Sequence, residues 1–483
     1  MRRTIAASFT GRLITAAALD LVLFYVFWEA MLIPMYLLVG VWGSEKRIYA
    51  AVKFFLFTFI GSVLMLLAIF WLWSNSGPVG HRTFDYVALI EQGALSPERQ
   101  GWLFLAFALA FAIKVPVWPL HTWLPDAHTE APAAGSILLA GVMLKMGTFG
   151  FIRYAMPLFP HAANHYAPAI GVLGVIGIIY GSLMCMAQTD MKRLVAYSSV
   201  AHLGFVMLGL SALTVEAANG AVLQMVNHGI STGALFLMIG YLYERTHTRD
   251  LAAYGGLAKL TPALAATFLV ITLSSIGLPG TNGFVGEFLI LIGTFVAKDL
   301  GHWTVFGSEL GKGPTLSVLA ATGVILGAVY MLWMYQRVFF GPLRKITALP
   351  DLTVREWFTV APLLAAIVCI GFAPQPMLDA IKEPVREFVE RVGNPGSVKP
   401  ARPALQRGQL EGPGNGLIAE PSRAWPPPAV DNAAPGALPA PGGSPAPGTP
   451  GGAQPAPGSQ GLPPHIFMPQ RAPMAQPPAE NRR

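Results

Sequence analysis

The chain has 483 residues, of which 53% are hydrophobic and only 12% are charged. Soluble domains carry about 25% charged residues, so this composition excludes an ordinary soluble enzyme, and the apolar content excludes a chain that is disordered throughout. The formal net charge is +7, but the basic residues form no clustered patch, which argues against a nucleic-acid partner.

The apolar residues come in blocks of about 20, which is long enough to cross a bilayer core as helices. We therefore predict an all-α polytopic membrane protein. Its ten predicted spans are 19–42, 50–73, 102–124, 132–156, 167–187, 194–212, 217–243, 261–297, 316–340 and 357–374. The third span should break at Pro116 and Pro119, and the eighth at Pro279. Broken helices at membrane depth occur where protein or a wet cavity satisfies the freed backbone groups.

The basic residues predict how the spans are oriented. The connections on one side of the membrane hold ten lysines and arginines, and those on the other side hold four. Because cytoplasmic loops carry the excess of basic residues, we place the richer side in the cytoplasm. Both termini then lie on the periplasmic side of a multi-pass protein of the cell inner membrane.

The end of the chain has a different composition. Residues 376–394 could form a short amphipathic helix after a transmembrane domain at 1–375. Residues 395–483 hold 22 of the 41 prolines, with many glycines and alanines. Such a segment is typical of a disordered tail, and a solvated tail is the preferred interpretation over a segment that docks a partner.

Six ionisable side chains lie well inside the predicted spans. Each costs about 2.5–3.5 kcal/mol at the bilayer centre, so each requires an explanation. They are Glu29, Lys114, Lys145, His202, His228 and Glu287. Glu29 and Lys114 could be a structural ion pair, and a single histidine could simply be hydrogen-bonded. Acids, lysines and histidines that recur across so many spans favour a proton path instead.

An internal repeat supports transport. Glu29 and His202 are 173 residues apart, and so are Lys114 and Glu287. The second member of each pair lies five crossings later, which inverts the second copy, and inverted repeats with broken helices are typical of transporters. The copies are placed at about 19–156 and 167–340. The counterpart of the span at 167–187 would begin before residue 1, so we expect the printed chain to lack its true N-terminal portion.

Five stretches carry a resemblance to a known family. They are LDLVLFYVFWEAMLIPMYLLVGVWG, KVPVWPLHTWLPDAHTEAPAAGSILLAGVMLKMGTFGFIR, MKRLVAYSSVAHLGFVMLG, NHGISTGALFLMIGYLYERTHTRD and GLPGTNGFVGEF. They resemble the antiporter-like membrane subunits of respiratory NADH–quinone oxidoreductase (complex I), over about residues 18–375. Glu29 and Glu287 favour the chain M group, called chain 4 in mitochondria, because the sibling chains L and N resemble it but carry lysine at the second broken helix.

The resemblance implies a fold of 14 spans with two inverted five-helix repeats, of which about four N-terminal spans are absent here. It also implies a role for each of the six residues. Glu29 pairs with Lys114, Lys145 is linked onward through His202 and His228, and Glu287 stands at the far end. The implied function is proton translocation driven by redox chemistry in partner subunits, with chains L and N and membrane lipids as neighbours.

No cofactor or metal is expected in this chain itself. Cys185 and Cys369 are far apart, whereas a thiolate-held iron–sulfur cluster needs about four cysteines. NADH, FMN, iron–sulfur clusters and quinone are therefore implied in partner subunits. Two alternatives stay open: a subunit of a multi-subunit cation/proton antiporter or membrane-bound hydrogenase, and a non-transporting scaffold.

Overall fold

A computed structural model describes residues 1–92, 95–298, 300–305, 308–346 and 348–395. The predicted tail at 395–483 lies, beyond its first residue, outside the described residues. In chain order the helices are α1 Arg2–Ala17, α2 Leu21–Trp42, α3 Arg47–Asn75, α4 Tyr86–Glu91, α5 Pro97–Lys114, α6 Trp123–Glu130, α7 Ala133–Leu158, α8 Pro160–Met186, α9 Met191–Ser211, α10 Val215–Thr246, α11 Pro262–Ile276, α12 Asn282–Phe295, α13 Lys312–Phe339, α14 Val354–Phe372 and α15 Gln375–Gly393.

Eight of these helices are long and apolar enough to cross a bilayer: α2, α3, α7, α8, α9, α10, α13 and α14. Two further crossings are each made of two half-helices, α5 with α6 and α11 with α12. The predicted all-α polytopic fold with about ten spans is confirmed. A short antiparallel hairpin, β1 His302–Val305 with β2 Ser308–Gly311, joins α12 to α13 and was not predicted.

Prolines and glycines explain where the crossings are interrupted. Pro116 lacks the N–H that would continue α5, and the backbone N–H of Val117 instead donates to the carbonyl of Ala112 at 2.8 Å. In the second break, Gly277 and Gly280 have φ of +79° and +87°, a conformation that glycine adopts readily. Pro34 has a milder effect, since α2 is interrupted by a turn at Met31, directly after Glu29 and Ala30.

The order of elements shows the repeat at the level of whole spans. Helix α1 precedes α2 and α3 as α8 precedes α9 and α10, and each set is followed by a broken crossing and a further helix. The correspondence is looser for single residues. Lys114 is the last residue before its break, whereas Glu287 lies in α12, after its break. The 173-residue spacing therefore matches spans, not equivalent positions along them.

Small residues and irregular turns bring the helices close together. An added Cβ at Gly174 of α8 would lie 2.8 Å from the carbonyl oxygen of Gly204 in α9, so only small residues allow this approach. Helix α7 contains two π-helical turns, Leu139–Met143 and Phe151–Ala155. Lys145 follows the first of them directly, in the short α-helical stretch between the two.

Helix α15 follows the last crossing and is amphipathic. Val385, Phe388 and Val392 are buried against the helices beneath it, while Lys382 and Arg386 are exposed. A helix with this pattern is suited to the plane of a membrane surface.

Candidate functional site

Four of the six predicted residues form one buried cluster. The Lys145 amine lies 2.5 Å from Nδ1 of His228, and it also donates to the carbonyl of Ala140. The rings of His228 and His202 have centroids 5.8 Å apart. Nδ1 of His202 lies 3.0 Å from Oε1 of Glu287. The order Lys145, His228, His202, Glu287 is a sequence of groups that can each hold or release a proton.

Four different helices supply this cluster. Lys145 comes from α7, His202 from α9, His228 from α10 and Glu287 from α12. All four side chains are buried, and Glu287 is only 4% exposed. Burial removes bulk water, so hydrogen bonds within the cluster are the available path for protons between these groups.

One face of α10 fixes the end of the cluster at Glu287. Gln224 donates to Oε1 of Glu287 at 2.9 Å, which gives that oxygen a second partner beside His202. One turn further on, the amide of Asn227 donates to the backbone carbonyl of Asn282 at 2.6 Å. The spacing of three residues places both amides on the side of α10 that packs against α12.

Asn282 ties the second break to the rest of the cluster. Its side-chain oxygen accepts hydrogen bonds from Ser274 at 2.5 Å and from Ser231 at 3.3 Å. These serines belong to the end of α11 and to α10, so one side chain at the start of α12 holds three helices together. The backbone break is thereby held in one geometry next to Glu287.

A small polar cavity lies between the two histidines. It has a volume of about 10 Å³ and is lined by His202, His228, Asn227, Ser231 and Ser275, among others. About 10–15 Å³ is the least that holds one water molecule. Nε2 of His228 has no hydrogen-bond partner among the described residues, and Nε2 of His202 lies 3.3 Å from the hydroxyl of Ser275. A single water would complete the connection between the rings.

The remaining two predicted residues lie apart from this cluster, on α2 and at the end of α5. Lys114 is 1% exposed, its amine has no hydrogen-bond partner within the described chain, and it lies 4.7 Å from the ring centroid of Trp28. Glu29, next to Trp28, interacts electrostatically with Lys114 and can bond to the hydroxyl of Ser62. No ion pair within 4.0 Å joins Glu29 to Lys114 in the part of the chain that is described.

Two buried polar side chains, His128 and Lys192, were not among the site residues predicted from the sequence. His128, at the end of the first broken crossing, is fully buried, stacks on Phe236 at 4.5 Å, and has no hydrogen-bond partner for either ring nitrogen among the described residues. Its electrostatic neighbours are Lys145 and Lys192. Lys192, one of the ten basic residues counted in the connections of the richer side, is buried and donates to the carbonyl of Ala131. His128 could have been singled out from the sequence, because PLHTWLPDAH, the segment that ends with it, is part of a stretch that carries the family resemblance.

Lys192 also lines a second cavity, on the side of the molecule that carries the basic connections. This cavity has a volume of about 310 Å³ and includes Glu244 and Arg249. His128 interacts electrostatically both with Lys192, which lines this cavity, and with Lys145. In the described part of the chain, no three His, Cys, Asp or Glu side chains are grouped so that they could hold a metal ion.

Comparisons with known proteins agree on one family. The family model described as "NADH:quinone oxidoreductase/Mrp antiporter, TM" matches residues 18–310. The chain is 46% identical over 382 residues to NADH-quinone oxidoreductase subunit M of Rhodobacter capsulatus, with 77% of this chain and 72% of that protein covered.

Solved structures show the same fold. A chain of respiratory complex I from Thermus thermophilus with bound NADH superposes with a TM-score of 0.71 and 37% identity, over 78% of this chain and 76% of that one. A chain of the Mrp complex from Dietzia sp. DQ12-45-1b gives a TM-score of 0.66 at 20% identity, over 81% and 77% of the two chains. The second likeness concerns the fold alone.

Proposed function

Since the chain belongs to the NADH:quinone oxidoreductase/Mrp antiporter transmembrane family, we propose that it is the antiporter-like, proton-translocating subunit M of an NADH–quinone oxidoreductase. The observation that carries this proposal is the buried cluster of Lys145, His228, His202 and Glu287. Ionisable groups inside a membrane domain cost free energy, and a chain of them within proton-transfer reach is typical of a pump.

The cluster acts as a relay. A proton on the Lys145 amine passes to Nδ1 of His228, which is already within hydrogen-bonding distance. Water in the small cavity carries it between the two rings, and His202 delivers it to the carboxylate of Glu287. Each step joins groups that release and accept protons near neutral pH or can be tuned to do so by their surroundings.

Glu29 and Lys114 control the supply of charge to this relay. A negative charge on Glu29 favours the protonated form of Lys114, and neutralising or moving Glu29 favours release of that proton. Because no ion pair within 4.0 Å joins them among the described residues, neutralising Glu29 changes this interaction without first breaking a hydrogen bond between the two side chains. We propose that His128 and the cavity at Lys192 serve proton uptake from the cytoplasmic side.

The driving redox chemistry belongs to partner subunits. NADH, FMN, iron–sulfur clusters and quinone are bound there, and the antiporter-like chains L and N are the proposed membrane neighbours. The protein is placed in the cell inner membrane with its basic connections in the cytoplasm and both termini in the periplasm. A topology reporter fused near Arg249 should therefore read as cytoplasmic, and an external signal would contradict this orientation.

The direct test measures protons transported for each NADH oxidised in inside-out membrane vesicles. Lys145→Ala and Glu29→Ala should each lower transport at least about tenfold, because each removes a group that holds or controls the proton. Lys345→Ala and Glu45→Ala, which change the same residue types at exposed positions, should leave it unchanged. Full transport in either buried variant would contradict the proposal, provided that the complex assembles.

An antiporter or hydrogenase subunit is the alternative. It predicts that the chain copurifies with exchanger or hydrogenase subunits and not with flavin and iron–sulfur proteins. Mass spectrometry of the gently solubilised complex distinguishes a respiratory subunit from an antiporter or hydrogenase subunit. Copurification with exchanger subunits alone would overturn the respiratory assignment and leave the membrane fold intact.

A further inference from the structure

A large cavity opens where α4, the end of α7 and α15 meet. Its volume is about 740 Å³, within the range of about 300–1,000 Å³ that is usual for ligand sites. Phe149, Ile152 and Phe388 give it an apolar wall, and Arg153 and Arg391 give it two cations. None of the six relay residues lines it.

Both arginines interact with Tyr86. The guanidinium carbon of Arg153 lies 4.8 Å from the centroid of the Tyr86 ring, and Arg391 also acts electrostatically on this phenol. Arg391 donates to the backbone carbonyls of Pro157 and Ile90 at 3.2 and 3.1 Å. Within the described chain neither arginine forms an ion pair with a carboxylate. Two such cations favour an anion, and guanidinium groups match phosphate well.

Acidic side chains of α15 complete the lining. Glu390 is paired with Arg386 on the same helix at 3.7 Å, whereas Glu387 forms no ion pair among the described residues. The cavity therefore offers an uncompensated carboxylate beside two uncompensated guanidinium groups. A ligand that carries both a phosphate and an amine matches this arrangement better than a purely anionic one.

The protonation states at this site suit such a ligand. Burial lowers the pKa of Arg391, but an arginine side chain stays charged at neutral pH. Burial also raises the pKa of Tyr86 to about 12, although both arginines oppose this, so the phenol stays neutral. The site keeps its positive charges throughout the physiological range.

The position of the cavity indicates where the ligand comes from. Helix α15 is amphipathic and follows the last crossing, and α4 connects two crossings on the same side of the molecule. Both elements lie where lipid headgroups would surround them, with the apolar wall continuing toward the acyl chains. A soluble anion would use the arginines and leave Phe149 and Ile152 uncovered.

We propose that this cavity binds a membrane phospholipid with an amine headgroup, such as phosphatidylethanolamine. Its phosphate lies between Arg153 and Arg391, its ammonium faces Glu387, and its acyl chains run along Phe149 and Ile152. The lipid joins α15 to α7 and closes the outer end of the membrane domain. This inference depends on membrane insertion and not on the proton relay.

The test uses the whole complex that contains this chain, reconstituted into vesicles of phosphatidylethanolamine and phosphatidylglycerol. A trace of a photoreactive phosphatidylethanolamine is added, and labelling of peptides covering 149–157 and 384–391 is measured by mass spectrometry. Arg153→Gln and Arg391→Gln should each lower labelling about tenfold, because each removes a charge-assisted hydrogen bond to phosphate. The control Lys382→Gln, on the same helix but exposed and outside the cavity lining, should label as the parent does.

Four results would overturn the proposal. They are unchanged labelling in Arg153→Gln, equal or stronger labelling by a photoreactive phosphatidylglycerol, full competition by inorganic phosphate, and crosslinking of a partner subunit into the cavity. Arg391 also bonds to backbone carbonyls, so a loss in Arg391→Gln alone would indicate a displaced α15 and would count against the lipid. NADH-linked proton transport is not the measured quantity, so failure here leaves the proposed function untouched.

Discussion

The buried charges of the membrane domain are held in two different ways. In the cluster of Lys145, His228, His202 and Glu287, Lys145 and His228 are 2.5 Å apart and His202 and Glu287 are 3.0 Å apart, so each of these two pairs is joined by a hydrogen bond. In the Glu29–Lys114 pair, Lys114 has no hydrogen-bond partner among the described residues and interacts with Glu29 only at a distance.

This difference corresponds to two different roles. A proton moves only between groups in hydrogen-bond contact, directly or through water. A charge acts on another across several ångströms of a low-dielectric interior without contact. The cluster is therefore built to conduct a proton, and the Glu29–Lys114 pair to bias a charge.

The largest expected effect comes from replacing Lys145 with arginine. Lys145→Arg keeps the positive charge, but arginine does not give up its proton at physiological pH. Proton transport per NADH should fall at least about tenfold, as in Lys145→Ala, because proton transfer and not charge is lost. The control is Lys345→Arg on an exposed connection. A Lys145→Arg variant that pumps at half the parent rate would show that charge alone suffices.

The sharpest comparison shortens one acid in the cluster and one in the Glu29–Lys114 pair. Replacing glutamate with aspartate withdraws the carboxylate by about 1.5 Å, one carbon–carbon bond. Glu287→Asp breaks hydrogen bonds to His202 and Gln224 and should lower transport severalfold. Glu29→Asp keeps a charge that acts through space and should cost less than about twofold. Transport rates measured in the same vesicles test this, and equal losses would remove the distinction between the cluster and the pair.

The smallest expected effect concerns the hydroxyl of Ser275. Among the described residues its hydrogen-bond partner is Nε2 of His202 at 3.3 Å, a long contact. Ser275→Ala should change transport about twofold or less, because water in the adjoining cavity can replace the hydroxyl. Ser96→Ala, at an exposed position before α5, provides a matched control. A tenfold loss would mean that this hydroxyl is itself part of the relay.

Much of the fold could be predicted from the sequence, because membrane helices are set by length and apolarity. The ten spans and both interrupted crossings follow from hydropathy and from Pro116 and Pro279. The hairpin at His302–Val305 and the π-helical turns in α7 could not be predicted in the same way. They are short, and their geometry depends on the helices packed around them.

Part of the candidate site could also be predicted from the sequence, because it consists of charged residues inside apolar spans. A charged residue inside an apolar block, such as Lys145 or Glu287, is visible without a structure. His128 and Lys192 lie near the ends of spans, where polar residues are expected in water, so only packing shows that they are buried. The implied pairing of Glu29 with Lys114 also needed coordinates, because a match of residue types does not fix a distance. The roles of all six residues stay predictions until the variants are measured.

The first π-helical turn of α7 gives this molecule a particular sensitivity to insertions and deletions. A π-helical turn holds one more residue than an α-helical turn, and Lys145 follows it directly. Losing one residue from Leu139–Met143 would let α7 close into a regular α-helix, and the helix beyond would keep almost the same rotation because the π-helical turn had absorbed the extra residue. Losing one residue from the α-helical stretch Ala133–Leu138 would instead turn everything after it by about 100°, the rotation of one α-helical residue. In that second case the Lys145 side chain would leave His228, while the composition, hydropathy and length of the span stayed almost the same.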